Sequence, residues 1–231
     1  MSIKYWAILP AAGSGTRFAS TTPKQYLTLL DKTVMQHSVD RICQLDIQGC
    51  VVALSNDDTT AKSLKFAMPD LVHWVTGGAE RMDSVLAALE YLQDFAQDLD
   101  WILVHDVARP CLLNSDLQRL IAELADDEVG GLLAVPVRDT LKLASQQQVI
   151  KTVPRDNLWQ CQTPQMFRFA VLKHAMQQAK ANQQLVTDEA SAIELLNLNV
   201  KLVAGSSSII KITYPEDLAL AAAIMQSAMV S

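Results

Sequence analysis

Short apolar runs separated by longer stretches of helical period recur along this chain, and that alternation leaves few folds open to it. Trp6–Leu9, Cys50–Leu54, Leu71–Thr76, Trp101–His105 and Leu132–Val135 are brief and almost wholly apolar. Segments of that kind suit strands buried on both faces of a mostly parallel sheet. Val200–Ala204 reads as a late strand of the same sheet. Between them, Met35, Val39, Ile42 and Cys43 recur at helical spacing, as do Val85, Leu86, Leu89 and Leu92, and then Leu172, Ala175, Met176 and Ala179. Each stripe predicts a helix laying one apolar face on the sheet. Repeated βα units build a layered α/β architecture. With 231 residues, half of them hydrophobic, and no linker-like stretch, the expectation is a single α/β domain over residues 1–231.

One stretch breaks the pattern. Thr140–Leu143 and Val149–Val153 read as short β segments either side of Ser145-Gln146-Gln147-Gln148, which predicts a hairpin arm at about residues 136–160. A two-stranded hairpin is marginal by itself, so it must pack on its own domain or on a second copy of the chain.

Ligands of open α/β sheets bind beyond the carboxyl ends of the strands, and the segment after the first strand is built for one. It reads Pro10-Ala11-Ala12-Gly13-Ser14-Gly15-Thr16-Arg17. Small residues let the backbone approach a phosphate or a flat base, and successive N–H groups in such a turn form an anion-binding concavity. The P-loop pattern fails because no Lys-Ser/Thr follows at the right spacing. The dinucleotide fingerprint fails because Phe18 stands at its third glycine. Arg17 and Lys24 follow instead, a planar fork and a compact point charge that together suit a triphosphate.

A second constellation, His105-Asp106-Val107-Ala108-Arg109-Pro110, follows the apolar Trp101–Val104 and so opens onto the same crevice. A carboxylate facing phosphates needs a cation between them, and Mg²⁺ takes one or two carboxylates together with phosphate oxygens. Asp106 is therefore the candidate metal ligand. Gly77-Gly78 permits a further close approach, and Ser84 is placed either to bond a base edge or to cap the next helix.

Composition narrows the partners. A net charge of −6 with no Lys/Arg cluster argues against nucleic acid or an anionic membrane. The four cysteines include no C-x-x-C pair and the four histidines make no ligand-spaced set with them, so reduced structural thiols are expected. The Met1–Trp6 segment has no leader-like apolar core and no run reaches membrane-spanning length, so the expectation is a cytoplasmic enzyme.

Leu9–Arg17, Pro23-Lys24-Gln25-Tyr26, Gly77-Gly78, Arg81, Ser84-Val85, His105-Asp106, Ala108-Arg109-Pro110, Gln162-Thr163-Pro164-Gln165, Thr187-Asp188-Glu189-Ala190 and Pro215-Glu216-Asp217-Leu218 occur in this order over nearly the whole chain. As an ordered set they resemble the 2-C-methyl-D-erythritol 4-phosphate cytidylyltransferase family. The resemblance implies a Rossmann-like, glycosyltransferase-A-type nucleotidyltransferase fold and an Mg²⁺-dependent reaction of CTP with the methylerythritol phosphate in non-mevalonate isoprenoid synthesis. It implies that Arg17 and Lys24 stabilise the transition state, that Pro10, Ala11, Ala12, Gly13, Gly15, Gly78 and Ser84 surround the nucleotide, and that Asp106 holds the metal. Arg155 and Lys211 are implied to position the second phosphate, with Asp106, Arg109, Thr140, Thr163 and Thr187 in its pocket. The hairpin resembles the family's dimerisation arm, which implies a homodimer in which Thr140 and Arg155 serve the neighbouring site. A ribitol 5-phosphate cytidylyltransferase is the nearest alternative, sharing the nucleotide loop. Two departures stand out: Val107 replaces the family's usual alanine, and Ser206-Ser207-Ser208 before Lys211 lacks the usual acidic or amide residues.

Overall fold

The computed structural model describes residues 3–13 and 22–230. Its main sheet has seven strands among the described residues: β1 (Tyr5–Pro10), β4 (Gly49–Leu54), β5 (Val72–Thr76), β6 (Trp101–Val104), β7 (Gly130–Pro136), β10 (Trp159–Arg168) and β11 (Lys201–Ala204). The spatial order is β11-β7-β10-β6-β1-β4-β5. β5, β4, β1 and β6 are mutually parallel, and β11 is parallel to β7. β10 runs against both of its neighbours, β6 and β7. The sheet is thus mostly parallel, with one reversed strand inside it rather than at its edge.

Side-chain alternation along β1 shows why two helical layers are needed. Ala7 and Leu9 face one core, packed by α1 (Val34–Cys43) and α3 (Asn114–Leu124). Trp6 and Ile8 face the other, packed by α2 (Arg81–Leu92), α4 (Phe169–Ala181) and α5 (Glu189–Glu194). The three helical stripes expected from the sequence are the buried faces of α1, α2 and α4. A small ladder, β2 (Thr28–Leu29) with β3 (Lys32–Thr33), and the last helix, α6 (Glu216–Val230), enclose a third cluster around Leu29, Val34, Cys111 and Ile212.

The arm is a hairpin of β8 (Leu141–Ser145) and β9 (Gln148–Val153). Gln146 and Gln147 form its two-residue turn with φ of 48° and 64°, the left-handed pair that matches strand twist. Thr140 falls just outside the strand that the sequence reading began with it. A larger correction concerns β10: the apolar-run rule passed over it, because Trp159-Gln160-Cys161-Gln162-Thr163 is polar and exposed up to Cys161 before the strand enters the core. Likewise Leu71 ends a 3-10 turn, Pro69–Leu71, ahead of β5.

Candidate active site

After β1 the chain steps to β4 on one side and later to β6 on the other, so the β1/β6 boundary is the switch point of the sheet. Crevices at such points lie beyond the carboxyl ends of the strands. A cavity of about 370 Å³ sits there, lined by Pro10, Ala11, Ala12, Gly13, Lys24, Gly78, Arg81, Ser84, Asp106, Val107 and Lys211 among others.

Local chemistry explains each wall. Ala11 N–H donates to Ala53 O at 2.8 Å, which continues the ladder one residue past β1 before the loop turns away. Gln25 is buried and donates from Nε2 to Ala11 O at 3.3 Å, fixing Lys24 against that loop. Lys24 Nζ donates to Ile212 O at 3.0 Å. On the opposite wall, Gly77 N–H bonds Leu54 O at 2.7 Å, and a Cβ on Gly77 would sit 2.6 Å from Ser84 Oγ. A side chain at Gly78 would collide with Asp83. Ser84 Oγ accepts from Gly78 N–H and donates to Glu80 O, both at 3.3 Å, while Glu80 takes the N-cap position of α2. Ser84 therefore shapes the glycine turn and is not the cap.

Asp106 is the electrostatic centre. Its Oδ1 accepts from Arg81 Nε at 3.2 Å, and Oδ2 meets Lys211 Nζ at 2.7 Å and Arg109 Nε at 3.6 Å. Burial pushes its pKa up, but Arg81, Lys211 and Arg109 outweigh that and hold the carboxyl well below the usual carboxylate range. Arg81 also pairs through both terminal nitrogens with Glu189, which is completely buried at the start of α5. Burial opposes the Arg81 charge, yet Glu189 and Asp106 together hold its pKa above normal. At Glu189, burial raises the pKa more than Arg81 lowers it.

His105 lies beneath this turn with no exposed surface. Burial outweighs the attraction of Asp106 and lowers its pKa to about 4, so the ring is neutral at neutral pH. Nε2 lies 3.0 Å from Arg109 O, an acceptor, so it carries the proton, and Nδ1 accepts from Thr163 Oγ1 at 3.0 Å. The same Thr163 oxygen accepts from Asp106 N–H at 3.0 Å. His105 is a strut, not a base.

A family model described as 2-C-methyl-D-erythritol 4-phosphate cytidylyltransferase matches residues 5–227. The chain belongs to that family. Relatives bearing this name from Acinetobacter baumannii and Pseudomonas putida are 48% identical over 226 residues and 50% identical over 219 residues. The alignments cover 97% of this chain and 95% of the first relative, and 93% and 92% for the second. A crystal structure of 4-diphosphocytidyl-2C-methyl-D-erythritol synthase superposes with a TM-score of 0.85 at 37% identity, covering 97% of this chain and 99% of that one. The cytidylyltransferase of Thermus thermophilus gives 0.80 at 30% identity, with 95% and 98% covered.

In this cytidylyltransferase the sequence-expected residues divide into three groups. Pro10, Ala11, Ala12, Gly13, Lys24, Gly78, Ser84, Asp106 and Lys211 meet in one cavity. Gly15 and Arg17 lie outside the described residues. Arg109, Thr140, Arg155, Thr163 and Thr187 do not line that cavity. Arg109 backs Asp106 from below, its Nη1 donating to Ile209 O at 2.9 Å. Thr163 is buried, and its hydroxyl engages Asp106 N–H and His105 Nδ1. Thr140 and Arg155 are exposed at the base of the arm, where Arg155 donates to Arg138 O. Thr187 is exposed ahead of α5. Val107, where the family usually has alanine, is buried in the cavity wall. Arg81 and Glu189 were missed as site residues although both fall in the motif blocks. The available signal was an arginine opening a helix beside a carboxylate loop.

Proposed function

We propose that the switch-point cavity receives CTP and that the acceptor phosphate reaches it from the side of Lys211 and Arg109. Membership of the family supports the overall reaction: the chain transfers the cytidylyl group from CTP to 2-C-methyl-D-erythritol 4-phosphate, giving 4-diphosphocytidyl-2-C-methyl-D-erythritol and pyrophosphate. The observation that carries the site assignment is the convergence of a small-residue loop, Lys24, the Gly78 turn and the Asp106–Lys211 pair on one cavity.

Pro10–Gly13, Gly78 and Ser84 leave little bulk around the nucleotide and Lys24 faces its phosphates, while Gly15 and Arg17, outside the described residues, are assigned to the nucleotide and the transition state by the family resemblance. The acceptor oxygen attacks the α-phosphorus in line with the departing pyrophosphate. A phosphate monoester is already dianionic above its second pKa of about 6, so no general base is needed. The obstacle is anion against anion, and fixed cations answer it by stabilising the transferring and leaving groups. Lys211, Arg109 and Thr187 orient the acceptor, with Thr140 and Arg155 contributed by a second copy of the chain.

Mg²⁺ fits this site. Asp106 is ionised and faces the cavity, supplying the one carboxylate such an ion needs when phosphates provide further oxygens. No group of three or more His, Cys, Asp or Glu side chains able to hold a metal occurs among the described residues. The ion would offset phosphate charge, and Asp106 would hold it.

The whole chain acts as one nucleotidyltransferase unit, homodimeric through the arm. Leu143, Val149 and Ile150 support this, since all three are exposed on the hairpin. A cytoplasmic setting agrees with the free thiols Cys43, Cys50, Cys111 and Cys161, and among the described residues no helix is long and apolar enough to cross a membrane. The test is pyrophosphate release with Mg²⁺ and CTP, comparing methylerythritol 4-phosphate with ribitol 5-phosphate. Preference for the first is expected; preference for ribitol phosphate refutes the acceptor assignment.

A further inference from the structure

In the main sheet the strand that runs against both its neighbours, β10, carries three buried polar side chains that reach the loops of the site. Gln162 and Thr163 lie within the register shift of β10 and Gln165 at its end, and they are 5%, 4% and 1% exposed. Bulges re-aim side chains, and here each points to a different loop of the site. Gln162 Nε2 donates to Ser206 O at 2.7 Å, at the start of the loop that ends in Lys211. Thr163 Oγ1 receives the Asp106 N–H. Gln165 spans the third loop with both ends of its amide: Nε2 donates to Asp188 Oδ2 and Oε1 accepts from Ala190 N–H, each at 2.8 Å.

What hangs on Gln165 reaches both halves of the site. Asp188 caps α5 by accepting Ser191 N–H at 3.0 Å, and Ser191 Oγ in turn holds Thr187 N–H at 3.1 Å. One residue further, Glu189 grips Arg81, whose Nε bonds Asp106. The acceptor-side loop and the Asp106 carboxylate are therefore registered against each other through one buried amide.

We propose that Gln165 is a positioning residue for the transfer: it sets Thr187 and Glu189 relative to Asp106, acting through Asp188 and Ala190 and touching neither substrate. The proposal rests on the cavity being the cytidylyl-transfer site. The chemistry requires a group that donates on one side and accepts on the other. A carboxylate at 165 still accepts Ala190 N–H but sets a second anion against Asp188, and in a buried network such a mismatch is not screened. Exchanging the two groups restores the pattern: with Gln165→Glu and Asp188→Asn together, the asparagine amide donates to the glutamate while its oxygen still caps Ser191.

The experiment measures pyrophosphate release by the full-length enzyme, varying CTP and methylerythritol 4-phosphate separately, for Gln165→Glu, Asp188→Asn and the pair. Misplacement of a substrate-orienting group by about 1 Å costs up to about a hundredfold. Gln165→Glu is accordingly expected to raise the acceptor KM by roughly tenfold or more and to lower kcat, with a smaller rise in the CTP KM. The pair is expected to return the acceptor KM to within about threefold of wild type. A lowered Tm with an unchanged acceptor KM in Gln165→Glu, or no recovery in the pair, overturns the proposal and leaves Gln165 a fold residue. Should Gln165→Glu not fold, Gln165→Met is read by the same KM criterion. If wild type itself releases no pyrophosphate from CTP with methylerythritol 4-phosphate, the functional reading has failed instead.

Discussion

Replacing Arg81 by methionine tests whether the Asp106–Arg81–Glu189 chain is the electrostatic spine of the site. Glu189 has no exposed side-chain surface, and Arg81 meets it with two hydrogen bonds, that from Nη2 being 3.0 Å long. Methionine keeps the apolar stem but leaves a buried carboxylate without its partner. Removing one member of a buried ion pair costs about 3–5 kcal/mol. At about 2–4 °C per kcal/mol for a chain of this size, Tm should fall by roughly 6–20 °C. The loss should also depend on pH. Burial already holds the Glu189 pKa above its ordinary 4.5, and without Arg81 nothing as close opposes that rise. A carboxyl whose folded-state pKa is raised carries no penalty below its unfolded value. The penalty grows as pH rises through the folded value. Urea unfolding of Arg81→Met should therefore show its smallest deficit near pH 4.5, where only the lost Arg81–Asp106 pairing remains, and diverge further from wild type by about pH 8. Adding Glu189→Gln should recover much of the loss, because the buried charge is gone. A deficit that is the same at every pH, or a double variant no better than Arg81→Met alone, would refute the reasoning.

His105 titrates in the opposite sense. Its folded pKa of about 4 lies below the unfolded 6.5, so its contribution is complete above pH 6.5 and is lost as pH falls toward 4. The loss is on the order of 3 kcal/mol, and His105→Gln should flatten the stability profile over that window. Arg17→Ala and Lys24→Ala should each lower kcat by roughly 10²–10³ in pyrophosphate release, and a near-wild-type kcat in either removes it from the transition state. Ile150→Asp on the exposed arm should shift sedimentation from dimer to monomer and reduce activity with it. A monomeric variant with full activity would show that Thr140 and Arg155 are not supplied across an interface.

Much of the cavity lining was legible from sequence because it is local. The loop after β1, the Gly77-Gly78 turn and the Asp106 segment each follow an apolar strand, and strand-loop order alone places them at one edge of a parallel sheet. Periodicity likewise identifies the buried faces of α1, α2 and α4, since a helix in this setting must lay its apolar stripe on the sheet. The same rules pass over β10, whose polar first half carries no apolar run, and with it the reversed direction of that strand.

Residue types at short spacing thus determined which loops could carry phosphate chemistry, and which cations and carboxylate they hold. The tertiary structure decided what those groups do in each other's presence. Arg81 and Glu189 are 108 positions apart, and Gln165 and Asp188 are 23 apart. No local pattern encodes that they touch. Their pairing, the neutral state of His105 and the engagement of Thr163 with Asp106 and His105 follow from burial, because a polar group removed from water must find its partner wherever the fold brings one.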